Sequence, residues 1–245
     1  MKGDVSFKDV VFSYEENRIV IDKVSFDVPA GSTLGIVGHT GAGKSTLANL
    51  LTRLYDPIEG EVTIDGVNLK ELSFRTLRDN IAIVSQETYL FRGTIMDNIR
   101  YACPDATNEQ VMAAAKIASA HDFIIKYPDG YQTMVGMGYK DLSGGERQRV
   151  SIARAILILD EATAAMDTQT ERAIQESLNA LTKNRTTIMI AHRLSTLRDA
   201  DKLIVIENGK MPEAGTAEEL LKKKGVYYKL YKMQAEALKT IGIEE

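Results

Sequence analysis

Residues 38–45 read Gly38-His39-Thr40-Gly41-Ala42-Gly43-Lys44-Ser45, and this stretch decides the fold. It fits the pattern G-x-x-x-x-G-K-[ST], whose glycines let the backbone wrap closely around a phosphate group. The apolar run 34–37 before it predicts a buried strand, and leucines at helical spacing within 47–54 predict a helix with one buried face after it. Strand, glycine-rich loop and helix in that order are the context that this pattern requires. The stretch therefore predicts a phosphate-binding loop within an α/β fold.

The phosphate-loop pattern predicts roles for several of its residues. Its backbone N–H groups and the start of the following helix would face the phosphates. Lys44 would reach the β- and γ-phosphates of a nucleotide, and the Ser45 hydroxyl would bind Mg²⁺. A glycine-rich turn without a ligand is the alternative explanation of the same residues. The predicted nucleotide-binding residues of the loop are Gly38, His39, Thr40, Gly41, Ala42, Gly43, Lys44, Ser45 and Thr46.

Two carboxylates follow a second apolar run. Residues 156–159 predict a buried strand, and Asp160 and Glu161 come directly after it. Ligands of open α/β sheets bind at the carboxyl ends of the strands, so both side chains are expected near the phosphates. Asp160 would hold Mg²⁺ through water, and Glu161 would polarise the attacking water as a general base. Taken alone, such an acidic pair is as often a helix cap.

Short runs of β-branched and aromatic residues predict the remaining strands. They lie at 5–12, 24–28 and 61–64 in the first third of the chain and at 187–190 and 203–206 near its end. Residues 94–131 follow a helical pattern instead, with an alanine-rich run at 112–120 that is expected to be packed. Strands that alternate with helices predict a parallel sheet covered on both faces. The chain is therefore expected to be one α/β domain with a helical lobe.

Composition narrows the classes of partner. The chain has 30 basic and 34 acidic residues and a formal net charge of -4, so nothing favours nucleic acid or anionic lipid as its main partner. Cys103 is the only cysteine, which excludes an internal disulfide and favours a reducing cytosol. No run approaches the roughly 18 apolar residues of a membrane span. Any membrane-spanning part would therefore have to lie in another segment or another chain.

A third motif separates this chain from other phosphate-loop proteins. A phosphate loop with an acidic pair also occurs in GTPases, kinases and helicases, but the guanine-recognition motif N-K-x-D of GTPases is missing from the sequence. Leu142-Ser143-Gly144-Gly145-Glu146 instead matches the LSGGQ/E signature, and the chain resembles ABC ATPases over nearly its whole length. The resemblance implies an α/β fold: a P-loop NTPase (RecA-like) core with an antiparallel β subdomain and an inserted α-helical subdomain. It implies a single ABC ATPase domain at 1–245, with the β subdomain and core at about 1–86 and 149–245 and the helical subdomain with the signature at about 87–148.

The family's other site positions are also matched. Tyr14 resembles the A-loop aromatic residue that stacks on adenine, and Gln86 resembles the Q-loop glutamine that contacts Mg²⁺ and senses the membrane partner. His192 resembles the switch histidine that contacts the γ-phosphate. Asp167 keeps the D-loop aspartate, although Ala164 replaces the serine of the usual SALD there. Without the resemblance, each of these side chains would be interpreted as structural. The resemblance thus implies Glu161 and His192 as catalytic residues and Ser45, Gln86 and Asp160 as the metal site.

The resemblance further implies a partnership between two such domains. ATP and Mg²⁺ would be the ligands, and two domains would form a head-to-tail homodimer or heterodimer with two ATP molecules in its interface. A transmembrane domain, fused upstream or separate, would complete the transporter at the cytoplasmic face of a membrane, whereas the isolated chain would be soluble. The residues that would hold the γ-phosphate bound to the opposite subunit are Leu142, Ser143, Gly144, Gly145 and Glu146.

Two loops predict the class of transporter. Residues 86–95 resemble exporter domains closely, whereas 133–139 lack the charged residues of the usual exporter stretch TEVGERG. We therefore expect a motor domain excised from an exporter. The alternatives are a soluble ABC ATPase of DNA repair or translation, and a nucleotide-dependent dimerisation switch with little turnover.

The passage 151–160 departs from the family. The helix after the signature would run directly into the strand predicted at 156–159, whereas a helix-to-strand connection normally takes about 2 to 6 residues. The family usually has a polar, proline-containing loop at this place. We hypothesise that a loop is missing from the sequence between Ala155 and Ile158, and a Cα spacing of about 3.8 Å throughout would contradict this.

Overall fold

The computed structural model describes residues 1–16, 18–84, 88–139, 141–158, 182, 185–190, 194–197 and 199–240. Its internal contacts divide the chain into two compact units. The β-rich unit comprises Met1–Ser73 and Asn184–Glu245, and the helical unit comprises Phe74–Lys183. The finer division into subdomains at about 1–86, 87–148 and 149–245 stays a prediction.

The described residues form both strands and α-helices. The strands are β1 (Val5–Ser13), β2 (Ile19–Val28), β3 (Thr33–Val37), β4 (Glu59–Ile64), β5 (Val67–Asn68), β6 (Gly93–Thr94), β7 (Met134–Val135), β8 (Thr187–Ile190), β9 (Lys202–Glu207) and β10 (Lys210–Gly215). The α-helices are α1 (Lys44–Leu51), α2 (Phe74–Asn80), α3 (Ile95–Arg100), α4 (Asn108–Ile117), α5 (His121–Ile124), α6 (Gly144–Ile158), α7 (Ala217–Lys223) and α8 (Val226–Thr240). None of these helices is long and apolar enough, within the described ranges, to cross a bilayer.

Four antiparallel strands form the first sheet of the β-rich unit, in the order β2-β1-β4-β5. Phe7 on β1 lies opposite Phe26 on β2, and their rings stack with centroids 4.5 Å apart. Asp65 and Gly66 have φ angles of 53° and 78°, which is the backbone of the tight turn that joins β4 to β5. The strands predicted at 5–12, 24–28 and 61–64 are confirmed.

The second sheet of the β-rich unit has the order β10-β9-β3-β8. Strand β3 lies parallel to both β8 and β9, and residues 34–37 are buried, as a strand covered on both faces requires. β10 pairs antiparallel with β9 across a turn at Asn208-Gly209, so the sheet is mixed. The predicted parallel pairing is confirmed, and the phosphate loop begins where β3 ends.

The helical unit has its own apolar core, to which α3, α4 and α6 all contribute. Capping boxes at Thr94 and Thr107 fix the first turns of α3 and α4, because each threonine accepts a hydrogen bond from a backbone N–H of its helix. The alanine-rich run is packed, as predicted. The core side chains include Ile95, Ile99, Val111, Ala114, Ala115, Ala118, Ala120 and Ile152.

One predicted strand is wrong where the structure describes it. Helix α6 continues to Ile158, so 156–158 are helical and the strand expected at 156–159 does not begin there. The described helix contains no glycine or proline after Gly145, and Ile152, Ala153 and Ile156 recur at the spacing that buries one face of it in the helical unit. Residues 155–158 all lie within this helix, and the hypothesis that a loop is missing from the sequence there stays a hypothesis.

Candidate nucleotide-binding site

Close packing determines the path of the phosphate loop. A Cβ at Gly38 would collide with the carbonyl oxygen of Ile206, and one at Gly43 would lie 2.7 Å from Cδ1 of Ile21. Gly43 also has a φ of 109°, which side chains rarely adopt. The Ala42 carbonyl accepts a hydrogen bond from the Gly209 N–H at 3.2 Å. Both glycines are therefore required by the fold itself, which holds the loop against β2 and β9.

Lys44 points back across the loop. Its Nζ donates hydrogen bonds of 2.8 Å to the carbonyl oxygens of Gly38 and His39. The residue is only 6% exposed, and burial lowers the pKa of its ammonium group from the usual value. Among the described residues its partners are two carbonyl groups, and a buried ammonium of this kind would gain from contact with a full negative charge. The loop therefore presents a poorly solvated cation to an anionic ligand.

The first turn of α1 is open to an anion. Its N-cap residue Gly43 offers no side-chain hydrogen bond, and the turn contains no acidic residue. The first bond of the helix runs from the Leu47 N–H to the Gly43 carbonyl, so the N–H groups of 44–46 have no partner inside the helix. They add to the positive end of the helix dipole. The Ser45 side chain is exposed beside them, where a metal ion bound to phosphate could reach its hydroxyl.

The structure brings Tyr14 to this same helix, although 30 residues separate it from the end of the loop in sequence. The Tyr14 hydroxyl lies 3.1 Å from the Thr46 hydroxyl and accepts a bond of 3.3 Å from the Asn49 amide. The residue is 48% exposed. Tyr14 and the phosphate loop thus line one site within the β-rich unit. No sequence motif predicted that Asn49 would contact Tyr14.

The signature segment is held by a capping box. The Glu146 N–H donates to the Ser143 hydroxyl at 3.3 Å, and the Ser143 N–H donates to the Glu146 carboxylate at 2.8 Å. The Tyr127 hydroxyl donates to the other carboxylate oxygen of Glu146 at 3.1 Å. Burial raises the pKa of Glu146, but these donors outweigh it and the net pKa is lowered. Glu146 therefore stabilises the segment through hydrogen bonds within its own unit, and no motif in the sequence pointed to Tyr127 as one of its partners.

Nothing in the part of the chain that the structure describes requires glycine at the two signature positions. A Cβ at Gly144 would meet nothing within 4 Å, and one at Gly145 would meet only the Arg149 side chain at an ordinary 3.7 Å. Neither glycine has a positive φ. Their N–H groups are the first two of α6 and lack partners inside that helix. The open space and the uncapped N–H groups suit close approach by an anion from outside the unit.

Other predicted site residues fall outside the described part of the chain. They are Gln86, Asp160, Glu161, Asp167 and His192, and their roles stay predictions. Among the described site residues, the phosphate loop and Tyr14 belong to the β-rich unit, and the signature belongs to the helical unit.

Comparison with known proteins assigns the family. Residues 21–164, more than half of the chain, match the family model described as ABC transporter. The chain belongs to the ABC transporter family. The family match confirms the resemblance of this ABC ATPase domain and its predicted α/β P-loop NTPase fold.

Relatives of this ABC domain include both uncharacterised and named transporters. It is 50% identical over 240 residues to the uncharacterized ABC transporter ATP-binding protein YknV of Bacillus subtilis, covering 96% of this chain and 40% of that protein. It is 49% identical over 241 residues to the ATP-dependent lipid A-core flippase of Haemophilus influenzae, covering 95% of this chain and 41% of the flippase. The chain thus spans about two fifths of the length of these relatives.

A solved structure gives the same relationship. The ABC domain superposes on a bacterial Atm1-family ABC exporter with ATP bound, with a TM-score of 0.87 and 44% sequence identity. The match covers 95% of this chain and 42% of that one. The domain is therefore an ATP-binding ABC ATPase domain related to those of exporters.

Proposed function

We propose that this domain binds ATP with Mg²⁺ in the phosphate loop and hydrolyses it to power export across a membrane. The observation that carries the proposal is the buried Lys44 ammonium beside the uncapped first turn of α1. This arrangement offers a fixed positive charge and several N–H donors to one polyphosphate. The kinship with a flippase and with an exporter favours transport over a soluble ABC ATPase or a dimerisation switch.

Lys44 and the loop would bind the triphosphate together. To contact the β- and γ-phosphates, the Lys44 Nζ exchanges its bonds to the Gly38 and His39 carbonyls for bonds to charged oxygens. Ser45 would hold Mg²⁺ together with Gln86 and Asp160, and the metal would neutralise charge on the phosphates. The exposed Ser45 hydroxyl at the helix start fits that role. Glu161 is the proposed general base, and His192 and Asp167 complete the proposed catalytic set.

The signature would act on the nucleotide of a second domain. The Ser143 hydroxyl oxygen accepts a bond from the Glu146 N–H, and its hydrogen bond to the Glu146 carboxylate would be exchanged for one to a phosphate. The N–H groups of Gly144 and Gly145 would donate to the same γ-phosphate. This proposal implies a head-to-tail dimer, homomeric or heteromeric, that closes on two ATP molecules and reopens after hydrolysis.

The partner that uses this motion would be a transmembrane domain. The relatives are more than twice as long as this chain, which leaves room in them for further segments. We place the ATPase domain at the cytoplasmic face of a membrane, in contact with that partner. The chemical identity of the cargo would be set by the membrane domain.

The purified chain tests the proposed activity directly. We expect phosphate release from ATP that requires Mg²⁺ and whose rate per molecule rises with protein concentration, because each site needs a second domain. Removing Mg²⁺ with EDTA should lower phosphate release to the rate measured without protein. A folded chain that binds ATP and Mg²⁺ but releases no phosphate at any concentration would contradict hydrolysis by this domain.

Replacing Gly144 by alanine separates the signature's ligand role from its role in folding. The methyl group has open space and an ordinary φ, so we expect the free energy of unfolding to be unchanged or up to about 1 kcal/mol higher. The same methyl group would block the approach of the γ-phosphate, so ATP hydrolysis should fall about tenfold at low protein concentration. Phosphate release and thermal unfolding measure the two effects.

Gly93→Ala is the matched control for this substitution. Gly93 also lies in the helical unit, and a Cβ there would make ordinary contacts of 3.4 Å or more with Asp97. We expect it to retain both stability and activity. Full ATPase activity in the Gly144→Ala variant would show that no ligand approaches this glycine.

A further inference from the structure

A cluster of aromatic side chains surrounds Tyr14. Its ring meets the ring of Phe12 edge to face, with centroids 4.9 Å apart and planes at 89°. It meets the ring of Tyr55 in the same way, at 5.1 Å and 88°. Tyr55 and Phe12 also contact each other at 5.5 Å. Edge-to-face contacts of this kind fix the orientation of the ring that they enclose.

The far end of the Tyr14 side chain is fixed as well. Its hydroxyl is bound by Thr46 and Asn49, both on α1. Two neighbouring rings and two hydrogen bonds thus restrain both torsion angles of the side chain. Nearly half of the residue nevertheless stays exposed beside the phosphate loop. A flat, restrained and partly exposed ring is a suitable surface for stacking a planar base.

Tyr55 differs from the other aromatic neighbour in one respect. Phe12 is only 4% exposed and belongs to the core of the β-rich unit, whereas Tyr55 is 46% exposed. The segment that carries Tyr55 is tied to β1, because the Ile58 N–H donates to the Val11 carbonyl at 2.9 Å. Tyr55 therefore contributes little to the packing of the core, but it is one of the two rings that restrain Tyr14.

We propose that Tyr55 is a positioning residue for the purine base, acting through Tyr14. It holds the Tyr14 ring in its stacking orientation before the nucleotide arrives. A ligand that binds a restrained ring loses less side-chain freedom than one that must first order it. This inference rests on the proposed nucleotide binding at the loop and on stacking by Tyr14. Tyr55 makes no contribution to phosphate binding.

Two probes separate the base from the phosphates. We would measure the dissociation constants of the full chain for ADP and for inorganic pyrophosphate by calorimetry, both with Mg²⁺, because neither probe is consumed. In Tyr55→Leu, the ADP dissociation constant should rise three- to tenfold while that of pyrophosphate stays unchanged. Tyr14→Leu should show the same selective loss, at least as large. Tyr55→Phe keeps the ring and should bind both probes as the unaltered chain does.

Two further variants complete the test. Tyr55→Gln also lacks the ring but keeps a long polar side chain, so it replaces Tyr55→Leu should the leucine variant fold poorly. Tyr231→Leu removes a comparably exposed tyrosine, 43% exposed, from α8 of the same unit and should change neither constant.

Each result has one meaning. Unchanged ADP binding in both ringless Tyr55 variants would overturn the proposal, and so would equal weakening of ADP and pyrophosphate, which indicates a structural role. Unchanged ADP binding in Tyr14→Leu would overturn it too, because Tyr55 acts through that ring. Failure of the unaltered chain to bind either probe would refute the proposed nucleotide site itself. Normal binding without hydrolysis would refute only the proposed catalysis.

Discussion

Replacing Glu161 by glutamine should lower Mg²⁺-dependent ATP hydrolysis by about 10²–10⁴-fold, the usual contribution of a general base. Glutamine has nearly the same shape as glutamate but cannot accept a proton from the attacking water. ATP binding should persist, because Lys44 and the first turn of α1 are unaltered. A domain that binds ATP without consuming it should accumulate as the closed dimer. Phosphate release and size-exclusion chromatography in ATP and Mg²⁺ measure the two effects.

The control for this prediction is Glu218→Gln, which makes the same chemical change at an exposed position in the first turn of α7. We expect full activity and no trapped dimer. Retention of more than a tenth of the activity in Glu161→Gln would assign the general base to another group.

Replacing Lys44 by methionine should have the second largest effect. Methionine fills a similar space but carries no charge, so the β- and γ-phosphates lose their buried cation. Removal of one fixed donor to a developing charge lowers rates by about 10²–10³-fold, and ATP binding should weaken as well. The fold should change by only about 1 kcal/mol, since the variant frees two carbonyl oxygens of the loop but also removes a desolvated charge. ATPase assays and urea unfolding test both parts.

Lys8→Met provides the comparison for Lys44. Lys8 lies on the surface of the same unit, where its Nζ is 3.8 Å from the Glu61 carboxylate, and exposed pairs of this kind contribute little. This variant should keep its activity and stability. A Lys44→Met protein as active as Lys8→Met would mean that the loop binds phosphate through its backbone alone.

Sequence patterns predicted the β-rich unit well because each signal there has a local cause. Alternating burial sets the strands of the first sheet, and Asp65-Gly66 and Asn208-Gly209 provide turns that need positive φ angles. The continuous apolar run 34–37 similarly requires burial on both faces. None of these predictions depended on residues distant in sequence.

Prediction failed at the end of α6 for a physical reason. Ile156 fits a buried strand when it is read with the residues after it, and it fits a helical face when it is read with Ile152 and Ala153. Periodicity cannot choose between these alternatives, because only the core of the helical unit gives Ile156 a partner. The site shows the same limit, since Tyr55 and Tyr127 become meaningful only through side chains that the fold brings to them.

The hydrogen bonds of Lys44 also determine which ligands can replace its two carbonyl partners. The two carbonyl oxygens that accept hydrogen bonds from its ammonium carry only partial negative charges. A neutral hydroxyl or a water molecule also offers only a partial negative charge, so it gains no advantage over these carbonyl oxygens. Phosphate oxygens with formal charge do, and several of them on one ligand do so most strongly. The backbone carbonyl groups of the loop therefore favour ligands with several formal negative charges, whichever base those ligands carry.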